Sequence, residues 1–169
     1  MPEKFRRHFL KAKEVKVLLN RVSENFKVDL EKIFKGRINV ELVETEFAEI
    51  YLFNGKPSLV KAGEKFFPAL VFNEFFDLAS KVVVDMGAVP HICNGADVMA
   101  PGVVRFEGEF RKGDFVFVVD EKHGKPIAVG EIIYDIDVVK EVKHGVVVRN
   151  IHYVGDRMWN FMKQLEAKT

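Results

Sequence analysis

Apolar residues near the N-terminus recur at helical spacing. A short apolar and basic stretch, Phe5–Leu10, predicts a strand that leads into a helix, and the spacing changes from Ala12 onward. Apolar residues three, four, seven and eleven positions apart share one helical face, and that face is formed by Val15, Leu18, Leu19, Val22 and Phe26. A second, shorter helix is predicted over Asp29–Lys35, with Asp29 near its N-cap and Gly36 as its stop.

Residues 38–72 alternate apolar and charged positions imperfectly, which predicts several strands. Asn54-Gly55 is the strongest short-range hairpin signal in the chain. The run Phe66–Phe72 is too apolar to face water, and Pro68 within it indicates an edge strand or a bend. Glu74–Ser80 predicts a short buried helix, so we expect a boundary near residue 80 between two domains, 1–80 and 81–169.

The C-terminal half reads as a series of short strands separated by turns that contain glycine. This pattern is typical of a small β-barrel, and the predicted strands are Lys81–Val84, Val103–Phe106, Phe115–Val119, Ile127–Tyr134 and Val146–His152. Val138–His144 predicts a helical turn that ends at Gly145. Asp156 predicts the N-cap of a final helix that carries Trp159 and Met162 inward. The fold class is therefore α+β, with an N-terminal α/β module containing an antiparallel sheet, followed by a mixed β-barrel.

Composition limits the broad class of protein. The chain has 169 residues, of which 48% are hydrophobic and 30% charged, enough for one domain or two small ones with real cores. No apolar run approaches the length that crosses a bilayer, and the N-terminus lacks the hydrophobic centre of a secretory signal. We therefore expect a cytoplasmic protein with no membrane partner. The only cysteine, Cys93, excludes an internal disulfide framework and a multi-cysteine zinc site.

Charge is distributed unevenly along the chain, although the net charge is only +1. Residues 1–40 hold 11 Lys and Arg against 5 Asp and Glu, a local net charge of +6, whereas residues 41–85 hold 4 against 8, a local net charge of −4. Positive potential at one end can attract a polyanion. The sequence leaves open whether this basic segment is a binding face or a solvated helix face.

One glycine-bounded stretch near the middle, Gly95-Ala96-Asp97-Val98-Met99-Ala100-Pro101-Gly102, predicts a tight and exposed connection. Gly95 and Gly102 can adopt a positive φ at little cost, and Pro101-Gly102 fits the two central positions of a type II turn. Taken alone, this is an ordinary connection between strands. Such a loop also allows another backbone to approach closely.

Residues for catalysis are not arranged in any known pattern. The serines, Ser23, Ser58 and Ser80, are not in a strand-turn-helix elbow, and His91 and Cys93 are two residues apart, too few to complete a zinc shell. No glycine-rich phosphate loop is present. We therefore expect no catalytic residue, no metal and no cofactor, which leaves a binding surface.

The stretch around Gly95 offers residue types suited to nucleic acid. Gly95 and Ala96 allow close approach of a sugar-phosphate, and Met99 and Ala100 can meet a base through apolar contact. Arg105, on the following strand, is a candidate to hold a phosphate or cover a base plane. Two further candidates, Arg149 and His152, would face opposite sides of a regular strand, so both could contact one groove only across a bulge.

In order and spacing, these segments resemble the PUA domain, a small RNA-binding β-barrel. The resemblance covers about residues 81–160 and rests on the stretch Gly95–Gly102 followed by Phe110–Val119, Pro126–Gly130 and Gly145–Trp159. Together with the basic opening Arg6–Val15 and the α/β module after it, nearly the whole chain resembles the family of the malignant T-cell-amplified protein and its archaeal homologues.

This resemblance implies a non-catalytic RNA-binding protein of translation. It would bind rRNA of the small ribosomal subunit, or tRNA, and assist release or placement of tRNA during initiation, reinitiation and recycling. Eukaryotic members work with a density-regulated partner that carries an initiation-factor-1-like domain, so a similar protein partner is implied here.

The family motif carries over onto Gly95, Ala96, Met99, Pro101 and Gly102. It also places scaffold positions, rather than contacts, at Ala128, Gly130, Gly155, Asp156 and Trp159. On charge grounds alone, the candidates for ribosomal RNA contact are Arg6, Arg7, Lys11 and Lys13.

Two other functions remain open from the sequence. PUA domains often sit beside catalysts, so the chain could be an RNA-targeting module or subunit associated with an RNA-modifying enzyme, which co-purification would favour. A small enzyme of unknown chemistry is the third reading, and a deep polar pocket with two convergent titratable groups would support it.

Overall fold

The computed structural model describes residues 3–168, which fold into two compact units. The first unit comprises Met1–Phe75 together with Gln164–Thr169, and the second comprises Phe76–Lys163. Among the described helices, none is both long and apolar enough to cross a membrane.

The first unit contains the predicted antiparallel sheet. Its five strands follow chain order across the sheet, with β1 and β5 at the edges. The strands are β1 (Phe5–Phe9), β2 (Val40–Thr45), β3 (Glu49–Phe53), β4 (Lys56–Ala62) and β5 (Lys65–Pro68). The predicted hairpin at Asn54-Gly55 joins β3 to β4, and Pro68 lies on an edge strand as expected, because proline cannot donate to a sheet ladder.

Three helices accompany this sheet along the chain: α1 (Ala12–Phe26), α2 (Leu30–Ile33) and α3 (Asn73–Phe76). The predicted face of α1 buries Leu18, Leu19 and Val22. Asp29 caps α2 as predicted, since its carboxylate accepts a hydrogen bond from the Glu31 N–H at 3.0 Å. Helix α3 is shorter than the predicted Glu74–Ser80.

The second unit is built on a curled, half-barrel sheet of six strands, in the order β7-β11-β10-β9-β6-β8. Strands β6 and β9 pair in parallel and the other neighbours are antiparallel, so the sheet is mixed as predicted. The strands are β6 (Lys81–Val84), β7 (Val98–Met99), β8 (Val103–Glu107), β9 (Phe115–Asp120), β10 (Pro126–Ile132) and β11 (Val146–Tyr153). The α+β fold class is confirmed.

Helices α4 (Val89–Ile92), α5 (Ile136–Val139) and α6 (Arg157–Lys168) complete the second half of the chain. Helix α5 begins earlier than the predicted Val138–His144, and neither α4 nor β7 was predicted. The core of the half-barrel is mainly aliphatic, with Val82, Val118, Val147 and Val148 fully or almost fully buried. This core holds in place the strands that are connected by the loops around Gly95.

Candidate functional site

A shallow groove of about 530 Å³ opens beside α4 in the second unit. We call it the α4 groove, and its lining residues are Asp85, Gly87, Ala88, His91, Ile92, Ala96, Asp97, Val98, Met99, Pro101 and Gly102. Four of the five motif residues from the resemblance, Ala96, Met99, Pro101 and Gly102, lie in this lining. The glycine-bounded stretch therefore forms one wall of a groove.

Two glycines shape this wall by different means. Gly95 has a φ of +97°, as predicted for a residue that must turn the chain tightly. The prediction of a type II turn at Pro101-Gly102 is wrong. Ala100–Gly102 forms a 3₁₀ turn instead, and Gly102 does not have a positive φ. Gly102 instead permits close packing, since a Cβ there would lie 3.3 Å from the Ala88 Cβ. The Gly102 carbonyl accepts a hydrogen bond from the Asp85 N–H at 3.0 Å.

The loop that carries Gly95 is held by Asn150 on β11. The Asn150 side-chain amide donates to the carbonyls of Ile92 at 3.0 Å and Ala96 at 2.9 Å, and its backbone N–H donates to the Asp97 carboxylate at 2.8 Å. Sequence reasoning missed this residue. The available signal was an amide side chain in the middle of the strand Val146–Tyr153, where Asn is disfavoured unless it has specific partners.

The lining of the α4 groove is mainly apolar and, among the described residues, contains no lysine or arginine. The Met99 side chain stands 48% exposed at its rim. The polar groups are two carboxylates, of Asp85 and Asp97, and the His91 imidazole. One Asp85 carboxylate oxygen already accepts from the Ala88 N–H at 2.9 Å. Such a lining suits the apolar faces of a sugar or base. The phosphate of a bound nucleotide would therefore have to be contacted by basic side chains outside the groove.

The other predicted contacts of the second unit are spread apart. Ala100 and Arg105 line a separate hollow of about 370 Å³ with residues of α5. The Arg105 Nε lies 2.9 Å from a Glu107 carboxylate oxygen, and both side chains remain about half exposed. Arg149 is exposed, and its Nη1 lies 3.9 Å from Glu131.

The prediction of His152 as an RNA contact is wrong. Its side chain is fully buried, with 0% exposure, and its Nδ1 lies 2.8 Å from the Asp156 carboxylate. Asp156 also accepts from the N–H of Tyr153 at 2.9 Å and of Trp159 at 2.7 Å, which makes it the predicted cap of α6. His152 therefore holds the end of β11 against the start of α6.

The basic candidates of the first unit differ in availability. Arg6, Lys11 and Lys13 are exposed, and the Arg6 Nη2 lies 3.8 Å from Glu44. Arg7 instead donates two hydrogen bonds to the buried Glu41 carboxylate, at 2.6 and 2.7 Å. This pairing lowers the pKa of Glu41 and raises that of Arg7, mainly through the side-chain hydrogen bond. Arg7 is thus engaged within the sheet, which argues against its predicted role in RNA contact.

No site for a metal is assembled within residues 3–168, where no three His, Cys, Asp or Glu side chains are grouped to hold one. Burial raises the pKa of the Cys93 thiol, so its reactive thiolate form is disfavoured.

The chain matches two known families in succession. Residues 6–72 match the family described as Domain of unknown function (DUF1947), and residues 80–154 match the PUA domain. A PUA domain from Aeropyrum pernix K1, solved as a tartrate complex, superposes with a TM-score of 0.85 and 28% sequence identity. The superposition covers 96% of this chain and 93% of that one.

Relatives match over most of their own length. Protein MJ1432 of Methanocaldococcus jannaschii is 40% identical over 157 residues, which cover 92% of this chain and 96% of that protein. Malignant T-cell-amplified sequence 1-B of Xenopus laevis is 26% identical over 160 residues, covering 89% and 88%. Translation machinery-associated protein 20 of Saccharomyces cerevisiae is 25% identical over 140 residues, covering 78% and 77%.

One relative matches only part of the chain. The probable tRNA pseudouridine synthase B of Pyrobaculum arsenaticum is 37% identical over 94 residues, which cover 53% of this chain but 28% of that protein. By contrast, the relative at 40% identity is covered over 96% of its length, and in this chain the DUF1947 match precedes the PUA match. The chain therefore belongs to the family of MJ1432 and the malignant T-cell-amplified protein, in which a DUF1947 module precedes a PUA domain.

Proposed function

We propose that this protein binds RNA without catalysis and acts in translation, with the α4 groove receiving unpaired nucleotides. The observation that carries the proposal is an exposed apolar groove, walled by Gly95–Gly102 and rimmed by Met99, within a PUA domain. Bases present apolar faces when they are unstacked, and single-stranded RNA is recognised through such faces. Arg105 on β8 and Arg149 on β11 stand exposed as candidates for phosphate contact.

The proposed RNA is ribosomal RNA of the small subunit or tRNA, during initiation, reinitiation or recycling. Support comes from the names of two relatives that match over most of their length, a translation machinery-associated protein and a malignant T-cell-amplified sequence. By the same analogy, a protein partner with an initiation-factor-1-like domain is part of the proposal. The exposed basic residues Arg6, Lys11 and Lys13 are the proposed contacts of the first unit, and Arg7 is a weaker candidate because its guanidinium is paired with Glu41.

Met99→Glu tests the α4 groove. A carboxylate at the rim removes apolar contact and repels phosphate, so we expect affinity for RNA to fall about tenfold, equivalent to about 1.4 kcal/mol. The measurement is fluorescence anisotropy with a labelled tRNA transcript and with small ribosomal subunits from an archaeon.

Val138→Glu is the matched control for this test. Val138 is exposed to a similar degree, 52% against 48% for Met99, and lies on α5 outside the α4 groove. The control adds the same charge to the same unit and should leave affinity near that of the unchanged protein. Equal affinities for Met99→Glu and the unchanged protein would remove the α4 groove from the proposed site.

An RNA-targeting role beside a modifying enzyme is the second candidate. It is favoured by the 37% identity between 94 residues of this chain and a probable tRNA pseudouridine synthase. Affinity purification of the tagged protein from a native extract separates the two roles. Recovery of small-subunit rRNA supports the first role, and stoichiometric recovery of a pseudouridine synthase or a methyltransferase supports the second.

A further inference from the structure

The first unit contains a larger groove that neither the motif nor the basic segment predicted. It has a volume of about 820 Å³ and opens between the end of β1, the first turns of α1 and the chain before β2. We call it the β1–α1 groove. The residues that matter for its chemistry are Phe9, Val15, Lys16, Glu31, Arg37 and Ile38.

One wall of the β1–α1 groove is an exposed aromatic ring. Phe9 is the last residue of β1, an edge strand, and 68% of its surface is accessible. It is the most exposed of the large apolar residues in the described part of the chain. The half-buried Val15 and Ile38 and the buried Leu19 supply apolar surface in the same groove. An exposed ring beside an apolar floor is a platform on which a flat ligand can stack.

The same groove carries two basic side chains that form no ion pair within the described part of the chain. Lys16 and Arg37 line it and are exposed, and neither forms an ion pair with any residue in the range 3–168. Glu31 is the one carboxylate in its lining. Lys11 and Lys13 lie nearby in sequence, in the segment 1–40 that has a net charge of +6. The occupant must therefore combine a flat apolar face with negative charge.

We propose that the β1–α1 groove binds an unstacked nucleotide of RNA, with its base on Phe9 and its phosphates at Lys16 and Arg37. A nucleotide combines a flat π-face with a phosphate, which is the combination that the lining offers. This inference rests on the proposed RNA-binding function and adds a second site to it. It also assigns a role to Phe9, Lys16 and Arg37, which the distribution of charge along the sequence did not identify as candidates.

The test uses an RNA hairpin whose stem carries one bulged 2-aminopurine, with an unbulged hairpin of the same stem as reference. Stacking on Phe9 should quench 2-aminopurine fluorescence, and binding should favour the bulged hairpin. Phe9→Leu keeps an apolar side chain but removes the ring, so the quenching should disappear and affinity for the bulged hairpin should fall about tenfold. Phe9→Tyr keeps the ring and should restore both.

The double variant Lys16→Ala with Arg37→Ala tests whether these two basic side chains contact phosphate. This double variant should bind the bulged hairpin at least about tenfold more weakly, because two phosphate contacts are lost. Lys56→Ala with Lys65→Ala is the matched control, since both lysines are exposed, lie in the same unit and are absent from the groove. The control should retain the affinity of the unchanged protein.

Met99→Glu, measured in parallel, separates this inference from the proposed function. If Met99→Glu weakens RNA binding while Phe9→Leu leaves quenching and affinity unchanged, the nucleotide site at Phe9 is wrong and the α4 groove stands. If neither variant matters, both proposals fail. If an acidic peptide carrying one phenylalanine shifts the amide resonances of residues 36–40 and the bulged hairpin does not, the groove is a protein-binding site and the inference is overturned.

Discussion

At the scale of single residues, two polar side chains of β11, Asn150 and His152, stabilise the second unit through hydrogen bonds to neighbouring segments. Asn150 fastens the loop before β7, and His152 joins the carboxylate of Asp156 at the start of α6. Burial by itself would raise the pKa of Asp156. The hydrogen bond with His152, the attraction between them and the N–H groups of Trp159 and Tyr153 outweigh burial, and the net pKa is lowered from its usual 3.8.

Asp156→Asn should destabilise the protein by roughly 1–3 kcal/mol at neutral pH, because the amide cannot reproduce the charged acceptor that faces a buried imidazole. A carboxyl with a lowered folded pKa contributes stability that is present above its unfolded pKa and lost as the pH falls through the folded one. The difference between the two proteins should therefore narrow as the pH falls below about 3.8. Urea unfolding followed by circular dichroism across this range measures the difference.

Asp137→Asn serves as the control for this prediction. Asp137 is an exposed carboxylate in the first turn of α5, away from the pair. Its replacement should change stability by less than about 0.5 kcal/mol. A pH-independent loss in Asp156→Asn would show that the capping geometry matters and the charge does not.

At the scale of elements, the β3–β4 hairpin shows how local chemistry fixes a turn. Asn54 and Gly55 have φ values of 51° and 86°, as a two-residue hairpin turn requires. The Asn54 side-chain oxygen also accepts a hydrogen bond from the Asn39 N–H at 2.9 Å. The asparagine therefore serves both the turn and the entry to β2.

Two substitutions at this turn separate its two roles. Asn54→Ala places an alanine at positive φ and removes the acceptor, so we expect a loss of roughly 1–3 kcal/mol. Asn54→Gly removes the acceptor but accommodates the positive φ, so its loss should be about 1 kcal/mol or less. Denaturant unfolding of both variants measures this difference. Equal losses would mean that backbone strain contributes nothing at this position.

At the scale of the whole molecule, the charge gradient predicts how RNA affinity depends on salt. Each phosphate neutralised by a lysine adds to the slope of log affinity against log salt concentration. Lys11→Gln with Lys13→Gln should make that slope shallower by about 1–2, since each lysine neutralises about one phosphate. The measurement is RNA affinity over a series of salt concentrations.

Arg7→Gln is predicted to act differently from the lysine pair. Because Arg7 donates two hydrogen bonds to Glu41, its loss should lower thermal stability by leaving a buried carboxylate without its partner. For the Lys11→Gln, Lys13→Gln variant, an unchanged slope of log affinity against log salt concentration would mean that the RNA does not contact the basic segment. The Lys56 and Lys65 double variant described above is the control for the loss of two charges.

Much of the fold followed from short-range patterns. The face of α1, the Asn54-Gly55 turn, the edge position of Pro68 and the capping of α2 by Asp29 each depend on residues within a few positions of one another. Local spacing is sufficient for such features because one helical turn or one hairpin contains all the interacting groups. The sequence also determined the basic charge of residues 1–40 and the order of the two modules.

Tertiary structure decided which of the candidate side chains remain available at the surface. His152 and Arg7 are candidate contacts in the sequence. In the structure His152 is buried against Asp156, and Arg7, although it remains at the surface, is paired with Glu41, which lies 34 positions away. Asn150 acts through carbonyls more than 50 positions away, and Phe9, Lys16 and Arg37 meet only where a strand, a helix and a loop converge. Accessibility depends on contacts that sheet pairing creates across long separations, and no local pattern in the chain records them.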